Sequence, residues 1–395
     1  MRHPRELRQD TSLAINGGTP TFAALPEEDT GIVAEAADEV AELIRTRRTV
    51  HWGGGPHTRV LERDFAALVG RERAFFHNSG TAALQTALFA LEVEEGTPVA
   101  LSDSGFVASL NALYHLRARP VFLPTHPATL QCVDDVAEWT AGTGVHTALI
   151  THFFGNVADV EAIWRTSGAR HLVEDGGQAH GARLRGRPVG SFGTVGSFAG
   201  STKKLVTAGQ GGLNVHDDEH LDWRMRTYAH HGKSGNYEGT FPGYNFRGGE
   251  MEAILAHAAL RRLDERVAAR NRTADTMFRI FDEAGIRTAR PAPGLDCSPA
   301  WFDVALILDE EWLGHRDWLV EAMVADGIPG WHYPALIGMP WVEPWMRSKG
   351  WWGEREQELL ASETALWGRT LVLGAQMNAV DAERIAHAVV ALLKG

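Results

Sequence analysis

Between residues 73 and 216 the chain alternates short apolar runs with helix-like segments, and this alternation limits the folds open to it more than any other feature. "RAFFHN", "TPVALS", "RPVFLP", "HTALITHFF", "ARHLVED", "GTVGSFAG" and "GGLNVH" read as strands. "SGTAALQTALFALE", "FVASLNALYHL" and "VADVEAIWRTSG" read as the intervening helices. Short buried strands separated by helices imply a parallel or mixed sheet covered on both faces. Upstream, residues 31–49 have helical spacing that places Val33, Ala37, Val40, Leu43 and Ile44 on one face, and "VLERDFAALVG" is a short amphipathic helix ending at Gly70. After residue 216 the pattern changes: a long helical segment over 250–285, a strand "FDVALILD", the helix "WLVEAMVADG" and a terminal helix "DAERIAHAVVALLKG". The reading is α/β: a large domain with a mixed, mostly parallel sheet over 1–248, then a smaller α+β domain over 249–395.

Composition excludes several classes. A formal charge of −12 argues against nucleic acid as a partner. No apolar run reaches the roughly 18 residues of a membrane span, and the N-terminus lacks a secretory apolar stretch, so a cytoplasmic protein is expected. Cys132 and Cys297 fit neither a disulfide framework nor a metal-ligand spacing, and no metal site is expected.

In sheets of this kind ligands collect at the carboxyl ends of strands. Three such ends carry chemistry. At "HNSGTAAL" (77–84) a strand stops and an alanine-rich helix starts; Ser79, Gly80 and Thr81 would offer N–H groups and hydroxyls to a phosphate, or simply cap a helix. At "LVEDGGQAHGA" (172–182) Glu174 and Asp175 end an apolar strand before two glycines. At "SFAGSTKKLVTAGQGG" (197–212) two lysines stand among small residues. A lysine pair is usually solvated charge, but a protected lysine loses hydration, its pKa falls, and it can form a Schiff base. A phosphate cradle, a carboxylate and a lysine, in that order on strand ends, describe a pyridoxal phosphate site.

On these and further motifs the chain resembles the DegT/DnrJ/EryC1/StrS aminotransferases, fold-type I pyridoxal phosphate enzymes acting on keto-sugars and keto-cyclitols. The motifs are "INGGTP", "GGGPHTRVLERDFAALVG", "NSGTAAL", "VEDGGQAHGA", "KLVTAGQGG" and "GYNFRGGEMEAILAHAALRRLDE", spread over nearly the whole chain. The resemblance implies that Lys204, seven residues before Gly211, is the Schiff-base lysine, and that Lys203 points elsewhere. It gives Asp175 to the pyridinium nitrogen, Gln178 to the phenolic oxygen, Ser79, Gly80, Thr81 and Ser201 to the phosphate, and Phe106 to the ring face. Asn245 and Arg247 resemble residues that reach a neighbouring subunit's site, which implies a homodimer with shared sites. Trp52, Arg247, His332 and Tyr333 are expected near substrate. Glu174, on the other face of the strand from Asp175, is expected to be nearly silent when changed to glutamine.

The chain departs from the family pattern at Ala199, usually a phosphate-binding serine, where a shifted loop would let the flanking Ser197 or Ser201 supply the hydroxyl, at Gln210, usually glutamate, and at Gly105, usually threonine. The implied activity is transfer of an amino group from glutamate or glutamine to a keto-sugar or keto-cyclitol, as in natural-product or sugar biosynthesis. A dehydrating or aromatising relative and a catalytically silent partner subunit are the alternatives. Lys204 argues against a dehydratase, since the family's dehydratases carry a histidine at that place, and Lys204 with Asp175 argues against a silent subunit. The crowded tryptophans Trp341, Trp345, Trp351, Trp352 and Trp367 read as packing or as a pocket wall.

Overall fold

The computed structural model describes residues 1–24, 29–47, 54–235 and 237–394. Along the chain the strands are β1 (Arg73–His77), β2 (Pro98–Ser102), β3 (Arg119–Leu123), β4 (Thr147–Thr151), β5 (His171–Asp175), the short β6 (Arg183–Leu184) and β7 (Arg187–Pro188), β8 (Val195–Ala199), β9 (Gly212–His216), β10 (Arg287–Thr288), β11 (Cys297–Ser298), β12 (Asp303–Ile307) and β13 (Thr370–Gly374). The main sheet has seven strands in the order β1-β9-β8-β5-β4-β2-β3. Only β9 runs against the rest, pairing antiparallel with β1 and β8. The sheet is therefore mixed and mostly parallel, as the alternation predicts.

Both faces are buried because successive side chains alternate. Leu101, Leu149 and Val173 face one core, and Ala100, Ala148, Ile150 and Leu172 face the other. The start of the helix Gly80–Ala90 is pressed onto the sheet. A Cβ on Gly80 would lie 2.6 Å from the Cβ of Ala199, and one on Gly212 would overlap the carbonyl of Ser79. Only glycines let these backbones approach so closely.

A second sheet, β10-β12-β13, is antiparallel. One face packs with Leu7, Leu13, Phe281, Trp312 and Ile385, so the N-terminal helix Pro4–Gln9 sits in the core of the C-terminal layer. The other face, through Ala305, Ile307 and Val372, joins the core that holds Phe153 and Trp367. The start of β12 is thus wedged at the joint between the layers, beside the carboxyl ends of β4 and β5.

Several elements differ from the sequence reading. The segment 250–285 is two helices, Glu250–Arg261 and Leu263–Glu283, broken at Arg262 (φ −109°, ψ 12°). Residues 31–49 give a short turn and then the helix Ala37–Arg45. Its buried stripe is Val33, Ala36 and Leu43 against Ile254 and Ala258, whereas Ile44 is 55% exposed. The sequence reading omitted β13 and the helices Val342–Ser348 and Glu354–Trp367. Among the described residues no helix is long and apolar enough to cross a membrane.

Candidate active site

A cavity of about 400 Å³ opens at the carboxyl ends of β1, β4, β5 and β8. Ser79 caps the helix Gly80–Ala90 in an extended conformation, and its Oγ accepts from the N–H of Ala82 at 3.1 Å. The first N–H groups of a helix have no partner within it. Gly80 and Thr81 line the cavity, so these donors and the positive end of the helix dipole are available to an anion there. The family's usual serine is Ala199, whose methyl sits between the positions a Cβ of Gly80 and one of Gly177 would take. Its neighbours Ser197 and Ser201 both line the cavity. The hydroxyl of Ser197 is buried with no hydrogen-bond partner among the described residues.

β5 delivers Asp175 to the cavity floor. Its Oδ2 accepts from Ser109 Oγ at 2.8 Å and its Oδ1 from the N–H of Gly177 at 3.0 Å. Burial pushes its pKa up, against the pull of Gly177, Ser109 and the Lys204 charge. Glu174 points the other way and is fully buried. It accepts from the N–H groups of Gly190 (2.8 Å), Phe192 (2.7 Å) and Gly193 (2.6 Å), with His152 Nε2 at 3.4 Å. Burial raises its pKa, but His152 and the N–H groups outweigh that and leave it below the ordinary glutamate range. Glu174 therefore pins the 190–193 loop, and the expectation that changing it would be silent does not hold for stability.

The lysine loop is zipped at its base. Gly200 N donates to Gly211 O (2.7 Å), Ala208 N to Gly200 O (2.8 Å) and Thr202 N to Gly209 O (3.0 Å). Lys203 takes a left-handed φ of 74°, donates through its N–H to Thr30 O at 2.8 Å, and does not line the cavity. Lys204 does line it, and its Nζ stands 4.0 Å from the centroid of the Phe302 ring. Burial lowers the pKa of Lys204 to about 8, with Asp303 and Asp175 resisting the fall.

Phe106, Gln178 and Tyr333 complete the wall. Phe106 is 50% exposed at the mouth. Gln178 Oε1 accepts from the N–H of Phe154 at 2.7 Å, holding that residue in a left-handed conformation (φ 64°). Gln210 lines the cavity, and Gly105 leaves room that Thr151 and Leu336 take up. His332 lies outside the lining, with Nε2 3.4 Å from Asp317. Asn245 and Arg247 are not brought to Lys204 either. They line a separate cavity of about 540 Å³ with Trp223, His230 and Glu250, tied to the end of β1 by the His77–Arg247 bridge and by Asn78 Nδ2 donating to Asn245 O at 3.1 Å. Trp52 lies outside the described residues. The C-terminal tryptophans are packing: Trp341 and Trp345 meet Tyr114 edge to face, Trp367 is in the core, and none lines the cavity.

Sequence reasoning missed Thr151, Phe302 and Asp303. Thr151 ends β4 at the sheet edge where the other site residues gather, so position could have found it. Phe302 and Asp303 arrive from a distant strand, and no local pattern announces them.

The model of the DegT/DnrJ/EryC1/StrS aminotransferase family matches residues 32–389. An L-glutamine:2-deoxy-scyllo-inosose aminotransferase of Streptoalloteichus tenebrarius is 32% identical over 329 residues, covering 76% of this chain and 76% of that protein. The enzyme of the same name from Streptomyces kanamyceticus is 30% identical over 382 residues, covering 89% and 87%. Among solved structures, S. venezuelae DesV in complex with a ketimine intermediate superposes with a TM-score of 0.79 at 28% identity, covering 92% of this chain and 95% of that one. A 3-amino-5-hydroxybenzoic acid synthase, at 24% identity and a TM-score of 0.80 over 95% and 99% of the two chains, shares the fold.

Proposed function

The chain belongs to the DegT/DnrJ/EryC1/StrS aminotransferase family and is an aminotransferase, and from that premise we propose that it holds pyridoxal phosphate in the Lys204 cavity and moves the amino group of glutamine or glutamate onto a keto-cyclitol or keto-sugar. The observation that carries the reading is the convergence of a helix start, a buried carboxylate and a lysine of lowered pKa on one cavity. The donor set fits the group. N–H groups of Gly80 and Thr81 and the orphaned Ser197 hydroxyl suit a phosphate, and Asp175 suits a protonated ring nitrogen. When bound, pyridoxal phosphate supplies an aldehyde for the lysine and a ring that accepts an electron pair.

The chain's own residues then divide the work. Asp175, held by Ser109 and Gly177, keeps a proton on the ring nitrogen. Lys204 Nζ takes the proton from the donor's α-carbon and in the second half-reaction delivers one to the former ketone carbon, a base and acid poised near working pH. Phe153 and Phe302 keep water from the reacting side, and Tyr333 and Phe106 bound the space left for a ring-shaped acceptor. Asn245 and Arg247 serve the site of a second copy in a homodimer, which accounts for their distance from Lys204.

Two names among the relatives support glutamine and a free cyclitol ketone. The test is a matrix of donors and acceptors. With glutamine, the purified protein loaded with pyridoxal phosphate should aminate an inosose-type ketone. Amination confined to nucleotide-linked keto-sugars would move the acceptor to that class, and no amination of either would refute the proposal.

A further inference from the structure

Beside the Lys204 cavity stands a buried carboxyl with no task so far. Asp303 opens β12 at the joint between the layers and is fully buried. Tyr333 Oη donates to its Oδ2 at 3.3 Å and Gln376 Nε2 donates to its Oδ1 at 3.3 Å. Both bonds are long, both donors are neutral, and Gln376 Nε2 is better engaged with Phe302 O at 2.6 Å. A carboxyl so placed must keep its proton or face a cation.

Two cations face it. Arg270 is buried, but its guanidinium reaches Lys203 O at 3.1 Å and Asp29 at 3.6 Å. Lys204 places its Nζ over the ring of Phe302, the residue preceding Asp303, and Tyr333, the donor to Asp303, walls the same cavity. The other groups that act on Lys204 are Asp175 across the cavity, the Arg270 guanidinium, whose charge adds to the fall of the lysine pKa, and His180, which burial holds neutral.

We propose that Asp303 is a positioning residue for Lys204: its carboxylate, oriented by Tyr333 and Gln376 just behind the Phe302 ring, is the buried counter-charge that favours the free ammonium over that ring, acting through space and not through a direct ion pair. The inference rests on the reading of Lys204 as the amine that leaves and returns to the cofactor. During each half-reaction that amine is loose in a partly apolar cavity. Without a counter-charge on its own side it would lose its proton or move to Asp175, which is needed by the ring nitrogen. Burial lowers the pKa of Lys204 to about 8, with the Asp303 charge resisting the fall, and burial raises that of Asp303 to about 7 against the pull of Gln376, Lys204 and Tyr333.

The experiment uses the full chain freed of cofactor. A pulse of acylating reagent is applied across a pH series, and acylation of Lys204 is read by peptide mass spectrometry against Lys394 as reference. In the unsubstituted protein the Lys204 midpoint should fall at about 8. Asp303→Asn should lower it by about one unit or more, so that near pH ~6.5 Lys204 reacts roughly five- to tenfold faster. Tyr333→Phe, which spares the carboxylate and removes its donor, should shift it the same way by less. A folded variant of either kind with the wild-type midpoint overturns the proposal. A wild-type midpoint below about 6, as for a buried lysine with no partner, overturns it without any variant. The cofactor takes no part in this measurement, so its failure leaves the cofactor reading standing. A pyridoxyl label found away from Lys204 sinks that reading alone.

Discussion

Asp175 and Glu174 are adjacent carboxylates on opposite faces of β5, and exchanging each for its amide should separate catalysis from stability. In Asp175→Asn the amide oxygen still accepts from Gly177 and the NH₂ group donates to Ser109, so the local bonds survive. What disappears is the charge that keeps the ring nitrogen protonated. A charge-assisted bond of this kind contributes about 1.5–3 kcal/mol. Expressed in the transition state, the upper part of that range is about a hundredfold in rate. The fold should not suffer. Burial raises the pKa of Asp175 in the folded chain, so its ionised form weakens folding above the ordinary carboxylate range, and the neutral amide removes that cost.

Glu174→Gln should behave in the opposite way. One amide oxygen keeps Phe192 and Gly193, but those bonds lose their charge assistance, and the NH₂ group faces the N–H of Gly190. A stranded buried donor costs roughly 1–3 kcal/mol and the weakened bonds about 1 more, so the loss is about 2–4 kcal/mol. The pKa of Glu174 is lowered in the folded state. Its contribution is therefore complete above the ordinary glutamate value and lost as pH falls through the lowered one. The gap between wild type and Glu174→Gln should be full at neutral pH and close in acid. The assay is single-turnover half-reaction rates beside thermal melts of cofactor-free protein. A Glu174→Gln protein that melts like wild type, or an Asp175→Asn protein with full half-reaction rates, refutes the assignment of the two faces.

Gly80→Ala puts a methyl 2.6 Å from the Ala199 Cβ; it should weaken pyridoxal phosphate binding at least tenfold and destabilise by about 1–3 kcal/mol, read by absorbance titration and melting. Arg247→Ala should lower turnover with the fold intact, and mixing it with Lys204→Ala should restore part of the activity if sites are shared between copies; no recovery after subunit exchange argues for self-contained sites.

The main sheet was legible because each strand is a short apolar run closed by a glycine or a polar turn. The site was legible to the extent that it is local. Ser79, Gly80, Asp175, Gln178 and Lys204 lie at or just beyond the carboxyl ends of β1, β5 and β8, parallel strands of one sheet, and topology alone brings them to one edge. What escaped was long-range. Asp303 reads as the first residue of an ordinary strand, and its burial beside Lys204 depends on the second sheet docking at the joint. β13 escaped because "TLVLG" is a run of only five residues, separated from the helix ending at Trp367 by no more than Gly368 and Arg369. Ile44 fits the periodic stripe, but the helix begins at Ala37 and turns that position to solvent. Asn245 and Arg247 sit in their own cavity, and one chain by itself does not bring them to Lys204.

The account stands on Lys204 as the residue that bonds the cofactor. Borohydride reduction of the protein loaded with pyridoxal phosphate, followed by peptide mapping, tests that directly. The predicted result is a pyridoxyl group on Lys204 and none on Lys203, whose left-handed backbone turns it away from the cavity. A label on Lys203, or no label on either lysine, would contradict the account.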